Sequence, residues 1–455
     1  MGEMTVPAAA YYGAQTARAV ENFPISGLRF SGRFVSALGL VKAAAARVNA
    51  ELGLLEPERA GVIIAAAEEV VAGRFDAEFV VDVFQTGSGT STNMNANEVI
   101  AHRARELQAD GQREAFAIHP NDHVNMGQST NDVFPTALHI AALRGVVEDL
   151  LPALDELERA FAGKALEFAE VVTAGRTHLQ DAVPVTLGQE FSGYAAVVRQ
   201  GIARLESARP RLAELAIGGT ALGTGLNAHP RFTELIVADL SRVTGIGFVR
   251  AGNAFEAMQN RDAAVEMSGV LRTIAVGLFK IANDLRLLAS GPRTGFYQIE
   301  LPATQPGSSI MPGKVNPVIP EAVNMVAAHV IGNDAAIVVA GLNGNLDLNV
   351  MMPVIAYNLL QSIDVMAHAA AVFARRCVTG IRANVERCRD YGERTASLVT
   401  AIAPVVGYDK AAELFKIALA QDKPIRQVLL DEAVLAPERV DEILDLLRLT
   451  QGGRA

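Results

Sequence analysis

The stretch DAAVEMSGVLRTIAVGLFKIANDLRLL, residues 262–288, decides the fold. Its apolar positions Met267, Leu271, Ile274, Leu278, Ile281, Leu285 and Leu288 recur in alternating steps of four and three. That is the spacing of one side of an α-helix, sustained long enough to form a packing seam. Val265, Val270, Val276 and Phe279 lie off the seam. A helix that is apolar nearly all round has to be buried nearly all round. The stretch therefore predicts a bundle of long helices, covered either by a large monomeric core or by neighbouring copies of the chain.

The same spacing runs through Leu187, Phe191, Tyr194, Val198, Ile202 and Leu205. Residues 353–376 predict a third long apolar helix, with Pro353 near its start. Shorter amphipathic helices are expected near 33–53 and 58–72, the second ending at Gly73. No period-2 alternation is long enough for a major sheet. From about 387 the segments become shorter and more charged. The chain is expected to be all-α, in three domains: mixed helical over 1–128, a central bundle over 129–386, and a small helical domain over 387–455.

Half of the 455 residues are hydrophobic, only 5% are aromatic and none is Trp, so the core is aliphatic. Cys377 and Cys388 form no metal-ligand pattern and no disulfide framework, which points to a reducing, cytoplasmic setting. The opening MGEMTVPAAAYYGAQ shows no secretory leader, and the apolar helices carry too many Asn, Asp, His and Arg residues to suggest a membrane span. A net charge of −10 argues against a nucleic-acid partner. An anionic substrate would have to find its positive potential locally.

Four polar boxes stand out from this apolar background. The first, QTGSGTSTNMN (85–95), sets hydroxyls between glycines just before a helix. It reads equally well as a capping cluster or as a carboxylate cradle. The second, HPNDHVNMGQSTND (119–132), repeats the hydroxyl-amide theme in Ser129-Thr130-Asn131. Its histidines flank a proline turn and make a poor metal site. The third, GRTHLQD (175–181), carries His178. The fourth, GSSIMPGKVNP (307–317), holds two serines, a lysine and an asparagine in a loop interrupted by Pro312 and Pro317. Glu321 follows it, in the first turn of the next helix, where the helix dipole keeps it ionised. Next to His178, Glu321 would raise its basicity, and the histidine could then activate a water.

The four boxes occur in the order seen in the fumarase/aspartase superfamily, and the fourth resembles its signature loop. Within the superfamily the chain resembles the class II fumarate hydratases. The likeness is carried by HPND (119–122), GRTHLQDAVPVTLGQEFSGY (175–194), GGTALGTGLNAHP (218–230) and the PGK of 312–314. The resemblance implies a fold of three helical domains whose central helices pool into a tetrameric core, with each active site shared among three subunits. It implies Ser308 as the base that removes a carbon-bound proton, and His178 with Glu321 as the water-activating pair. Ser88, Gly89, Thr90, Ser129, Thr130, Asn131, Thr177, Ser309, Lys314, Val315 and Asn316 match substrate contacts. His119, Pro120, Asn121 and Asp122 match a secondary dicarboxylate site. No cofactor and no metal are implied. Thr130 stands where serine is frequent, Met126-Gly127 replaces a frequent Lys-Ser, and Phe116 stands where some relatives carry a basic residue.

The implied reaction is reversible trans addition of water to fumarate, giving (S)-malate through an aci-carboxylate. Aspartate ammonia-lyase, which shares loop and intermediate, is the nearest alternative; a catalytically silent structural homologue is the remote one. If Ser308 is the base, Ser308→Ala nearly abolishes turnover of malate while far-UV circular dichroism stays unchanged. Near-normal activity in that variant would remove the assignment.

Overall fold

The computed structural model describes residues 3–110 and 116–453. Long helices dominate: Leu187–Leu212, Asp262–Leu288, Val318–Gly341 and Met352–Arg376. At 1.5 Å per residue the Asp262–Leu288 helix is about 40 Å long. All seven residues of its seam are buried, whereas Val276 is 55% and Phe279 36% exposed. On the Leu187–Leu212 helix, Leu187, Phe191, Tyr194, Val198 and Leu205 are buried and Ile202 is half-buried. The shorter helices fall at Gly32–Glu51 and Pro57–Val71, close to their expected bounds. The described strands form two-stranded pairs only.

By packing, the chain divides into two compact units, each gathered from three stretches. One comprises Met1–Pro152, Ala203–Ala275 and Ala328–Ala367; the other comprises Ala153–Ile202, Val276–Ala327 and His368–Ala455. This division follows packing, while cuts near 128 and 386 follow chain order.

In the first unit, Ala-rich helices pack closely around a small aromatic group, Phe30, Phe34 and Phe134. Glu98 accepts the backbone N–H groups of Gly13, Gln15 and Thr16 at 2.9, 3.0 and 3.1 Å, which satisfies the orphan donors that open the Ala14–Asn22 helix. Asp334 accepts Ser268 Oγ and Arg272 Nη1, both at 2.7 Å, and Asn333 donates to Ser362 Oγ at 3.0 Å. These bonds matter for reading Val318–Gly341. It is long and apolar enough to cross a membrane by length and composition, contrary to the sequence expectation. Its Asn333 and Asp334, though, are tied to neighbouring helices, as in a bundle.

In the second unit, Phe161, Phe168, Phe191, Tyr194 and Phe373 form a cluster with ring centroids 5.3–6.2 Å apart. Edge-on and tilted contacts of this kind suit the aromatic quadrupole. Near the C-terminus, Leu398, Ile402, Leu414, Ile425, Val428, Leu429, Val440 and Ile443 make a separate apolar core. An antiparallel hairpin pairs Val172–Thr177 with Gln180–Thr186. Its second strand is anchored by Thr395 Oγ1 on the carbonyl of Ala182 and Ser397 Oγ on that of Asp181, both at 3.0 Å.

A cavity of about 470 Å³ in this unit is lined by Arg176, Glu190, Tyr194, Lys280, Asp284 and Phe296, among others. One carboxylate oxygen of Glu190 is buried with no hydrogen-bond partner. Burial pushes the Glu190 carboxyl up from 4.5 to about 7, against the opposing charge of Arg176. The folded chain thus holds a proton that the unfolded chain releases between those two values. Stability contributed by that proton is present at low pH and is lost as pH rises through the window. Glu190→Gln is expected to raise the thermal midpoint by several degrees at pH 8 and by much less at pH 5, measured by scanning calorimetry. Equal shifts at both pH values would show that the carboxyl titrates normally.

Candidate active site

The first box is built by two glycines that no other residue can replace. A Cβ on Gly87 would lie 1.8 Å from the Val350 carbonyl oxygen. Gly89 has φ +81°, and its Cβ would lie 2.1 Å from the Phe134 ring. Between them the chain turns into the Thr90–Asp110 helix with Ser88 Oγ and Thr90 Oγ1 2.8 Å apart. The capping alternative is met by other residues: Gln85 Oε1 accepts both the N–H and the hydroxyl of Thr92, at 3.0 and 2.9 Å. Ser88 and Thr90 keep hydrogen-bonding capacity for a ligand.

The second box meets the first. Asn93 Nδ2, one turn into the helix, donates to Thr130 Oγ1 at 2.9 Å. Ser129 and Asp132 form a capping box at the start of the Thr130–Gly145 helix. Fully buried Asp132 also accepts the N–H groups of Gly218 and Thr220 at 3.0 and 2.9 Å, and Asn131 Nδ2 donates to the Ala221 carbonyl at 2.8 Å. The glycine-rich 218–225 segment is thereby fixed beside the box. Below it lies Lys42, fully buried, whose ammonium donates to Asn125 Oδ1 at 2.9 Å and Gln128 Oε1 at 3.0 Å. Burial pushes Lys42 down to about 7, against the Asp132 charge. Burial likewise pushes Asp132 up to about 7, against its backbone donors and Lys42.

The signature loop is organised by its own backbone. The Lys314 N–H donates to the Met311 carbonyl at 3.2 Å, with Pro312 and Gly313 between them and Gly313 at φ +81°. That is a type II turn. Asn316 Nδ2 closes the loop by donating to the Gly307 carbonyl. Gly307 is obligatory, because its Cβ would lie 2.1 Å from the Lys314 carbonyl oxygen. Within this frame Ser308 Oγ accepts the N–H groups of Ile310 and Met311 at 3.2 and 3.0 Å. Two donors aimed at one oxygen favour its charged form. Ser309 and Lys314 are exposed, as are Ile310 at 82% and Val315 at 51%.

His178 occupies the tip of the Val172–Thr186 hairpin. Thr177 pairs with Gln180, leaving His178 and Leu179 as a two-residue turn with φ +56° and +60°. Positive φ at both positions is the type I′ pattern, costly for any side chain other than Gly or Asn. The tip stands exposed. Glu321 lies in the first turn of the Val318–Gly341 helix, as expected. Among the described residues, one copy of the chain makes no hydrogen bond or ion pair among Ser308, Lys314, His178 and Glu321. The first two boxes meet within one copy; among the described residues, the loop and His178 share no hydrogen bond or ion pair.

Of the secondary-site residues, His119 Nδ1 accepts the Asp122 N–H at 3.2 Å and lies 3.1 Å from its carboxylate, while the His119 N–H donates to His123 Nδ1 at 2.8 Å. The Pro120–Val124 turn thus satisfies itself. Nearby, the Arg59 guanidinium lies over the Phe116 ring at 5.2 Å and pairs with Glu56.

Sequence reasoning missed Lys42 and Asn93. A signal for Lys42 was present: Leu38, Lys42, Ala45 and Asn49 share one face of the Gly32–Glu51 helix, and all four are buried. A lysine on an apolar face announces a buried cation.

The chain is similar to known proteins over its whole length. The family described as "Lyase" matches residues 2–332, and that described as "Fumarase C C-terminus" matches residues 398–451. The chain is 55% identical over its full length to 96% of a class II fumarate hydratase from Halobacterium salinarum. It is 54% identical over 99% of its length to 95% of one from Mycobacterium tuberculosis. Its fold superposes on the crystal structure of a class II fumarase from Schistosoma mansoni with a TM-score of 0.95 and 39% identity, covering 99% of this chain and 97% of that one.

The geometry of Gly307 generates a direct test. Gly307→Ala is expected to lower kcat on the order of 100-fold, the usual consequence of moving a catalytic group by about 1 Å. The thermal midpoint should not move, since the loop lies outside the core. A variant with unchanged kcat would show that the loop geometry is irrelevant to turnover.

Proposed function

The chain belongs to the class II fumarate hydratase family, and from that premise we propose that it catalyses the reversible trans addition of water to fumarate. The observation that carries the reading is the Ser308 nest: a hydroxyl oxygen receiving two backbone N–H donors, in a loop pinned by Gly307 and Asn316. Donors already aimed at Ser308 Oγ lower the cost of an alkoxide there, which suits a base for a weakly acidic C–H. In the malate-to-fumarate direction, Ser308 takes the proton from the carbon beside a carboxylate. The electron pair spreads into that carboxylate as an aci-form, held by Lys314 and Asn316. The hydroxyl then leaves from the opposite face, taking a proton through the water held by His178 and Glu321, and the double bond closes. Ser88, Gly89, Thr90, Ser129, Thr130 and Asn131 bind the substrate carboxylates, with Thr177, Ser309 and Val315 completing the enclosure.

The site is assembled, in this reading, among three copies of a homotetramer. Two features support it. Among the described residues of one copy, the loop and the His178 tip make no hydrogen bond or ion pair with each other, and the bundle helices leave large apolar side chains uncovered, among them Val276, Met325 and Val339. The two free, buried cysteines support a cytoplasmic setting. Aspartate ammonia-lyase activity is the weaker reading, since relatives at 54–55% identity are class II fumarate hydratases.

A direct assay separates the two chemistries. Fumarate formation, followed by ultraviolet absorbance, should be rapid from L-malate and absent from L-aspartate. Production of fumarate from aspartate, or from neither acid, would overturn the proposal.

A further inference from the structure

The buried Lys42 has a polarity that its neighbours lack. Its Nζ faces two amide oxygens, Asn125 Oδ1 and Gln128 Oε1, and donates to both, whereas an amide or hydroxyl can face either way. Lys42 Nζ donates to Asn125 Oδ1, and Asn125 Nδ2 donates to the Gln128 carbonyl at 3.1 Å, so the orientation of that amide is fixed from both sides. Asn125 Oδ1 then accepts Asn93 Nδ2 at 3.3 Å, and the same Nδ2 donates to Thr130 Oγ1 at 2.9 Å. Asn93 Oδ1 is buried without a partner. Nothing on that side holds Asn93, so its orientation depends on what Asn125 offers. A Thr130 oxygen that accepts from Asn93 keeps its own proton to give elsewhere. With Asn93 turned over, the Thr130 proton would point back at the amide oxygen instead.

We propose that Lys42 is a positioning residue for the substrate: a chain of oriented hydrogen bonds from its ammonium, through Asn125 and Asn93, presents the Thr130 hydroxyl as a donor to a substrate carboxylate. The two ends match: Lys42 Nζ faces only acceptors, and an ionised carboxylate can only accept. This rests on the reading of Thr130 as a substrate contact.

The test is a double-mutant cycle on the full-length enzyme, with KM and kcat for fumarate measured in Thr130→Val, Lys42→Met and the double variant. Each single change is expected to raise KM about tenfold with kcat within about twofold, and the double variant to match Thr130→Val alone. A merely structural lysine would lower stability without such coupling. Unchanged KM in Lys42→Met, or a further tenfold rise when it is added to Thr130→Val, overturns the relay and leaves the substrate contact standing. Unchanged KM in Thr130→Val removes the contact and the relay together. Should Lys42→Met fail to fold, Asn93→Asp, which puts an acceptor where the donor stood, takes its place in the cycle with the same expected and contrary results.

Discussion

The Val318–Gly341 helix sets the constraint on which the rest depends. Its most apolar stretch has a mean hydropathy of 1.5, yet only 33% of that stretch is buried. Met325 is 68% and Val339 57% exposed, with Leu342 just beyond the helix at 78%. The Asp262–Leu288 helix adds Val276 and Leu287, and Leu187–Leu212 adds Val197. At roughly 25 cal/mol per Å² of apolar surface, covering such faces yields a large gain on association. The proposed tetramer meets that demand. In the proposed reading that assembly is also tied to catalysis, because the signature loop leads directly into Val318–Gly341 and the hairpin directly into Leu187–Leu212. Whatever buries these helices decides where their polar boxes arrive.

Much of the fold was legible because burial imposes period. The four-and-three spacing that marked Met267 to Leu288 is the same spacing the bundle buries. The hairpin was illegible for an equally physical reason. A two-residue turn is normally announced by Asn-Gly or a similar pair, and here its tip is His178-Leu179, held at positive φ without either residue. The loop was legible where the rule is local: Pro312 and Pro317 interrupt any helix, and 307–317 is a loop in the structure. Pairings between distant segments were illegible, as with Lys42 against Asn125, since spacing in one segment says nothing of what folds against it.

Some of the places where local rules are broken lie in or beside the boxes. Backbone strain is found at His178, glycines without room for a methyl group at 87, 89 and 307, and a buried ammonium at Lys42. Local conflicts of this sort survive when the surrounding structure over-determines them, and they concentrate where function requires them. In a chain with net charge −10, the proposed site would hold a dianion by individually oriented donors, rather than by a general positive field.

In the proposed assembly no single copy of the chain contains a complete site. Mixing decides it. Ser308→Ala and His178→Asn, each inactive alone, are unfolded together in equal amounts and refolded. If loop and hairpin come from different subunits, sites with both intact re-form and about a quarter of wild-type activity returns, as random assembly of a symmetric oligomer requires. If each site lies within one chain, every site carries a defect, and the mixture stays as inactive as its components.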